Sequence, residues 1–405
     1  MLKEEQAFDQ KEIYAPFPIE VFYAIQRFPN FEGYTGGGAE RHLERLISAT
    51  QKKYDANYKP TLYVANRQID TVPLEIPIIA DPERTGLLSE LERVNSPNKI
   101  LHLSDSYVLL YNPEIYLEIA KFWQGSIIQR VTLLSRMQEL SEKYKTGFQK
   151  YISAITKFVS QSPEMTADMI KLGIAAEKIS EIENGVDTSA FTPVSPEVKQ
   201  RLKSEIFPSI NKDAKIFLAV ARLTDPVKKI DLLIHEWQKT MRDQNAYLIL
   251  VGGFRTEETR ADSLVMNMQN HANFFQPTPD NIIFTGLQKT EEIQKIYQLS
   301  DALLAPSILE GFSNVALEAM SSGLPILARK GVSGYGKLIT DRTTGLFFNS
   351  DDELGRKISQ LNADNGLRDQ LSEAARNKIV QEYSIESMIE KYKQLYLEVI
   401  KKTSN

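Results

Sequence analysis

Two glutamates, Glu310 and Glu318, lie seven residues apart in the run Pro306-Ser307-Ile308-Leu309-Glu310-Gly311-Phe312-Ser313-Asn314-Val315-Ala316-Leu317-Glu318-Ala319-Met320-Ser321-Ser322-Gly323-Leu324-Pro325. The run follows a short apolar stretch, Ala302–Ala305, and opens a helical pattern over Asn314–Ser321. Ser313 or Asn314 can cap that helix, leaving the amides around Ser313–Ala316 to receive an anion. A carboxylate beside such an anion site suits the gripping of hydroxyl groups, because an ionised carboxyl only accepts hydrogen bonds. Without that purpose, Glu310 is a loop charge and Glu318 a solvated helix face.

A second cluster is cationic. Val220-Ala221-Arg222-Leu223 closes a strand pattern, and Lys228-Lys229-Ile230-Asp231-Leu232-Leu233-Ile234 starts a helical one. Arg222 with Lys228 or Lys229 sets two cationic side chains near one strand end. Alone, two such charges at a strand end are solvated. A third cluster, Tyr34-Thr35-Gly36-Gly37-Gly38-Ala39-Glu40-Arg41, is glycine-rich, and Gly37 and Gly38 let the backbone approach a ligand closely. The alternative is an ordinary turn. Gly331-Val332-Ser333-Gly334-Tyr335-Gly336-Lys337 has the G-x4-G-K spacing of a phosphate-binding loop, but Leu338 stands where the Mg²⁺-holding hydroxyl belongs. It reads as a loop bordering the space beside the glutamate run. His102 and Arg130, each at a strand end, are aimed by the expected topology into that space, and a structural role is the alternative for both.

These residues need a frame. Strands are expected over Val21–Gln26, Thr61–Ala65, Ile76–Ala80, Lys99–Leu103, Ile127–Thr132, Lys157–Ser160 and Ile179–Glu183, and then over Ile216–Ala221, Ala246–Val251, Ile282–Thr285, Ala302–Ala305, Ile326–Ala328 and Gly345–Phe347. Helical patterns lie between them, including Ala39–Tyr54, Pro113–Trp123, Leu133–Tyr151, Pro163–Leu172, Lys229–Thr240, Asn314–Ser321 and Leu367–Glu382. Strands apolar on both faces, alternating with helices, make an α/β chain of parallel sheets covered on both sides. Asn184-Gly185-Val186-Asp187 and Thr192-Pro193-Val194-Ser195-Pro196 mark a linker. Two doubly wound domains are therefore expected, over 1–190 and 195–384, with the final helix in 385–405 packing back on the first. Ligands of such sheets bind outside the carboxyl ends of the strands, so the site falls in the cleft between domains.

Composition closes off other chemistries. The 405-residue chain has no cysteine, which excludes thiol catalysis, disulfide scaffolds and thiolate metal sites. Its four histidines, His42, His102, His235 and His271, show no ligand spacing, so no metal site is expected. Of 48 basic and 53 acidic residues, 21 and 26 fall within 1–194, leaving 27 of each beyond. No region has the basic excess of a nucleic-acid footprint or a polybasic membrane patch. The start, MLKEEQAFDQKE, has no apolar core of a secretory signal, and no apolar run approaches the length of a membrane span. A soluble, cytoplasmic protein with at most peripheral membrane contact is expected.

The run from Pro306 to Pro325 resembles the E-x7-E signature of retaining glycosyltransferases of family 4, which have the GT-B fold of two Rossmann-like domains facing across a cleft. The family pattern, roughly P-S-x-x-E-G-F-x-x-x-x-L-E-A-M-x-x-G-x-P, is filled at each fixed position. The resemblance implies that Glu310 binds hydroxyls of a donor sugar and Glu318 the ribose of its nucleotide. It also implies that Gly311, Phe312, Ser313, Asn314 and Val315 hold the diphosphate. Arg222 and Lys228 match the family's diphosphate clamp, and Gly37 and Gly38 its first-domain phosphate loop. Gly252 matches a strand-end glycine, while Gly286 and Leu287 match the loop framing the base. Departures are Ala221 and Lys229, both at positions where glycine is usual, and Lys337, near which the family often has glutamate.

The implied activity is transfer of a hexose-type sugar from a nucleotide diphosphate sugar, UDP favoured, to an acceptor hydroxyl with retention of configuration. No cofactor and no metal are expected, in keeping with the absence of an Asp-x-Asp pair. His102 would orient donor or acceptor. A homo-oligomer is compatible with this reading. The rival readings are a non-catalytic partner of another transferase and a phosphorylase or epimerase on the same fold.

Overall fold

The computed structural model describes residues 19–25, 38–54, 58–64, 78–80, 87–103, 114–131, 134–253 and 280–403. The first sheet has seven strands: β1 (Ile19–Ile25), β2 (Tyr58–Val64), β3 (Ile78–Ala80), β4 (Lys99–Leu103), β5 (Ser126–Arg130), β6 (Lys157–Ser160) and β7 (Ile179–Glu181). Their order is β3-β2-β1-β4-β5-β6-β7. The second has six: β8 (Lys215–Val220), β9 (Ala246–Val251), β10 (Ile282–Gly286), β11 (Ala302–Ala305), β12 (Ile326–Arg329) and β13 (Gly345–Phe348), in the order β10-β9-β8-β11-β12-β13. Neighbouring strands are parallel throughout both sheets. The two domains are thus doubly wound α/β units, as the alternation of apolar runs and amphipathic stretches predicts.

Strand order reverses between β1 and β4 in the first sheet and between β8 and β11 in the second. At such switch points the loops leaving the two neighbouring strands diverge and open a crevice. The loops after β8 and β11 carry Arg222–Lys229 and Ser307–Ser313, so topology alone brings the cationic cluster to the glutamate run.

Alternation along β1 sends Val21 and Tyr23 to one face and Phe22 and Ala24 to the other, each into its own core. The first of these faces is covered by helix Gly38–Tyr54 and by the terminal helix Ile385–Thr403, whose Met388, Ile389, Tyr392, Leu395, Tyr396 and Val399 are all buried there. The chain therefore crosses between domains twice. Val186 and Ser384 pair as a parallel bridge where the crossings meet: the Val186 amide donates to Tyr383 O and the Ile385 amide to Val186 O, each at 3.0 Å.

Three local readings change. The helix expected over Leu133–Tyr151 is two helices, Leu134–Lys143 and Lys145–Ala154. Tyr144 between them lies at φ −124°, ψ 38°, with its ring packed against the first-domain core. A further helix, which the apolar pattern does not mark, runs over Leu87–Val94. The linker ends sooner than its prolines suggest: Ser195 caps helix Pro196–Ile206, and Pro196 occupies the first turn, where its missing N–H is no loss.

Candidate functional site

The loop after β8 is built around Asp225. Its Oδ1 accepts the Val227 amide at 3.2 Å and its carbonyl the Lys228 amide at 2.9 Å, which tightens Pro226–Lys228 into a single 3₁₀ turn. The Ile308 amide donates to Val227 O at 2.9 Å and sews this loop to the one after β11. Lys228 then reaches Glu310 in an ion pair whose two side chains are each 18% exposed. Lys229 turns away in the left-handed region, φ 51° and ψ 42°, and starts helix Ile230–Met241. Of the two adjacent lysines, Lys228 is thus the one set against Glu310. Arg222, largely exposed, pairs with Asp225 Oδ2 at 2.8 Å.

Behind Glu310 stands the glycine-rich segment with P-loop spacing. Ser333–Gly336 is a four-residue helix. The Gly334 amide and the Ser333 hydroxyl donate to Glu310 O at 3.1 and 3.2 Å. A Cβ on Gly334 would come within 2.5 Å of Glu310 Cβ, so this glycine is needed for close approach. Tyr335 is buried against Ser307, Ser313 and Glu310, and burial first, then the charge of Glu310, pushes its hydroxyl pKa well up. The segment buttresses the glutamate loop. Lys337 points away to Glu181 and to Glu183, the latter at 2.6 Å, and Lys391 reaches Glu183 at 2.7 Å. Burial pushes the Glu183 carboxyl up, but the two lysines outweigh it and hold the carboxyl below its usual range.

Glu318 is not on a solvated face. It is 1% exposed, with Oε1 taking Arg45 Nη2 at 2.5 Å and Oε2 taking the Tyr297 hydroxyl at 3.0 Å. Arg45 belongs to helix Gly38–Tyr54 of the first domain, so this ion pair spans the two domains, and its guanidinium lies 5.9 Å from the centre of the Phe191 ring. A second link runs beside it. Arg130 Nη2 donates to Asn184 Oδ1 at 2.6 Å, and Asn184 Nδ2 to Asn314 Oδ1 at 2.8 Å. Asn314 is the first residue of helix Asn314–Ser321, which Ser313 caps by accepting the Ala316 amide at 3.2 Å. The amide of Ala316 is therefore already committed, which moves the anion-facing amides to the residues before it. Phe312 is buried against Tyr383, while Gly311 and Val315 are half-buried.

The remaining expected residues are dispersed. Gly252, at φ 142°, donates its amide to Gly286 O at 2.9 Å, and a Cβ there would lie 1.7 Å from Ala221 O. Leu287 packs over Gly253. Gly38 is the first residue of its helix, and Gly37 lies outside the described residues. His102 is displaced from its expected place. It is wholly buried on the sheet face that the terminal helix covers, with Nδ1 2.8 Å from the Tyr396 hydroxyl and its ring stacked near Tyr23 and Tyr392. The reason is strand parity: His102 shares the side of β4 that carries Ile100, away from Leu101 and Leu103. Burial, and secondly the charge of Arg130, push its pKa down to about 3. Burial likewise pushes His42 well down, and its Nε2 lies 3.1 Å from the Tyr392 hydroxyl.

Among the described residues, no three His, Asp or Glu side chains converge as a metal would need, and no helix is long and apolar enough to cross a membrane. Arg45 and Tyr297, which hold Glu318, carry no local motif of their own, and Asn184, which holds Asn314, is marked in the sequence only as part of a turn.

Residues 201–378 match the family described as Glycosyl transferases group 1. The chain is 25% identical over 223 residues to an uncharacterized glycosyltransferase of Methanocaldococcus jannaschii, covering 54% of each protein. It is 26% identical over 207 residues to the N-acetyl-alpha-D-glucosaminyl L-malate synthase of Bacillus anthracis, covering 51% of this chain and 50% of that one. The matched stretch is thus about half the length of these curated relatives. Anabaena HepE in complex with UDP superposes with a TM-score of 0.72 at 17% identity, over 94% of this chain and 100% of that one. The same protein with UDP-glucose gives 0.72 at 16%, over 93% and 99%. The chain has the GT-B fold, and residues 201–378 of its second domain match the group 1 glycosyl transferase family.

Proposed function

We propose that the protein is a retaining glycosyltransferase of family 4 that moves a hexose-type sugar from a nucleotide diphosphate sugar, UDP favoured, to an acceptor hydroxyl without a metal. The observation that carries this is the Lys228–Glu310 pair at the β8/β11 switch point, directly before the capped helix Asn314–Ser321. It sets one cation, one carboxylate and a helix N-terminus around one small space. The UDP and UDP-glucose held by the Anabaena neighbour support the donor class.

In this reading Glu310 accepts hydrogen bonds from the sugar's hydroxyls. Lys228 and Arg222, together with the amides ahead of Ala316, neutralise the diphosphate as the bond from the anomeric carbon to the phosphate oxygen breaks. The bond to the acceptor oxygen forms on the same face, and the acceptor's proton passes to the departing phosphate oxygen. Glu318 binds the ribose. His102, buried against Tyr396 and Tyr23, touches no substrate in this reading.

The test is a panel of UDP, GDP and ADP sugars incubated with the full chain, with and without a chelator, reading release of nucleoside diphosphate. Release that a chelator leaves unchanged is expected. A strict divalent-metal requirement overturns the metal-free mechanism. Turnover of sugar 1-phosphates alone selects the phosphorylase reading, and no turnover of any donor selects the non-catalytic one.

A further inference from the structure

The role of Glu318 in the proposed function is to accept the ribose hydroxyls, and the inference rests on that reading. A hydroxyl cannot reach a carboxylate that solvent does not reach, and Glu318 is 1% exposed. In this conformation its two oxygens already have donors, Arg45 Nη2 on Oε1 and the Tyr297 hydroxyl on Oε2. A vicinal diol would place two O–H donors on the same pair of oxygens. The two protein donors differ in how they are held. Tyr297 is fully buried in the core of Glu318's own domain, edge-on to Phe191 with ring centres 5.8 Å apart. Arg45 is 16% exposed and rides on a helix of the opposite domain. Its seat is also incomplete: only Nη2 reaches Glu318, and Nη1 is buried with no hydrogen-bond partner. A guanidinium that could make a two-pronged contact makes a single one.

We propose that Arg45 is an intramolecular stand-in for the nucleotide's ribose, filling the donor position on Glu318 in the empty protein and leaving it when the nucleotide enters. Tyr297 stays and keeps the carboxylate oriented for the incoming diol. Arg45 is a positioning residue that acts through Glu318. Its withdrawal breaks an ion pair between domains, so the affinity for nucleotide is reduced by whatever the pair is worth.

The experiment titrates UDP, GDP and ADP calorimetrically into the full chain and UDP into Arg45→Ala and Arg45→Gln, and measures kcat and KM with the donor that the panel identifies. Arg45→Ala is expected to bind UDP about tenfold tighter and to lower KM without raising kcat, with Arg45→Gln in between. A purely structural Arg45 would leave that split unmoved or weaken both constants. If Arg45→Ala does not fold, Arg45→Gln, which keeps a neutral donor, carries the test. Wild-type protein that binds UDP while both variants bind it equally or more weakly overturns the stand-in and leaves the function standing. Wild-type protein that binds none of UDP, GDP and ADP overturns the functional reading itself.

Discussion

Glu310 and Glu318 each meet one cation, and the two pairs are built on different principles. Lys228 and Glu310 sit on loops leaving adjacent strands of one sheet, and both side chains remain partly open. Arg45 and Glu318 come from different domains, and the carboxylate is sealed. The first pair follows from the strand order of one domain and persists whatever the other domain does. The second exists only while the domains are together. A motif that looks like one unit in sequence therefore splits in space into a permanent half, suited to chemistry, and a conditional half, suited to binding.

The largest expected effect tests that split directly. Glu310→Gln is expected to lower kcat by about 100-fold with KM little changed, because it removes charge beside the reacting sugar. Glu318→Gln is expected to weaken UDP binding by about tenfold with a smaller change in kcat, because a weaker acceptor then faces the ribose. Initial rates with the identified donor, alongside calorimetry, separate the two. Identical profiles for both variants would erase the distinction.

A second prediction concerns the ground beneath Arg45. Its helix packs over the sheet face where His42 and His102 are buried with Arg130, Tyr23, Tyr392 and Tyr396. No histidine stands beside Lys228 and Glu310 in the described site. His102 titrates near 6.5 when unfolded and near 3 when folded, so between those values the unfolded chain binds more protons. Its contribution is complete above about pH 6.5 and is lost as pH falls, by at most about 1.4 kcal/mol per pH unit. Thermal melting at pH 7.5 and pH 5.5 should show wild type losing more on acidification than His102→Gln. Equal losses would mean that this histidine is not neutral in the fold.

What the sequence showed and hid follows the same division. Strands such as Lys99–Leu103, Lys157–Ser160 and Ala246–Val251 are legible because a buried parallel strand is a short apolar run bounded by turn residues. The loops after β8 and β11 are legible because their residues are local and dense. Arg45 was illegible, since on its helix it is one polar residue among Glu44, Gln51 and Lys52, and only the facing domain gives it a partner. Asn184 stood inside a legible turn motif, but its span to Asn314 and Arg130 depends on how the domains meet. His102 was placed by its strand end alone. Parity, which decides between the two faces, requires knowing which core each face meets.

The smallest effect lies next to the permanent pair. Lys229 adopts φ 51°, ψ 42° at a position where the resembling family has glycine. A side chain in that region costs about 1–2 kcal/mol. Glycine would remove the cost but add about 0.4–1 kcal/mol of unfolded-state entropy. The net expectation for Lys229→Gly is a stabilisation of about 0.5–1 kcal/mol, or about 2 °C in the melting midpoint of a domain of this size. Because Lys228 holds Glu310 and Lys229 turns away, the same substitution should leave UDP affinity and kcat unchanged. Loss of affinity would move the phosphate contact from Lys228 to Lys229. Lys228 would then serve only to hold Glu310, and the open pair would offer the ligand its carboxylate alone.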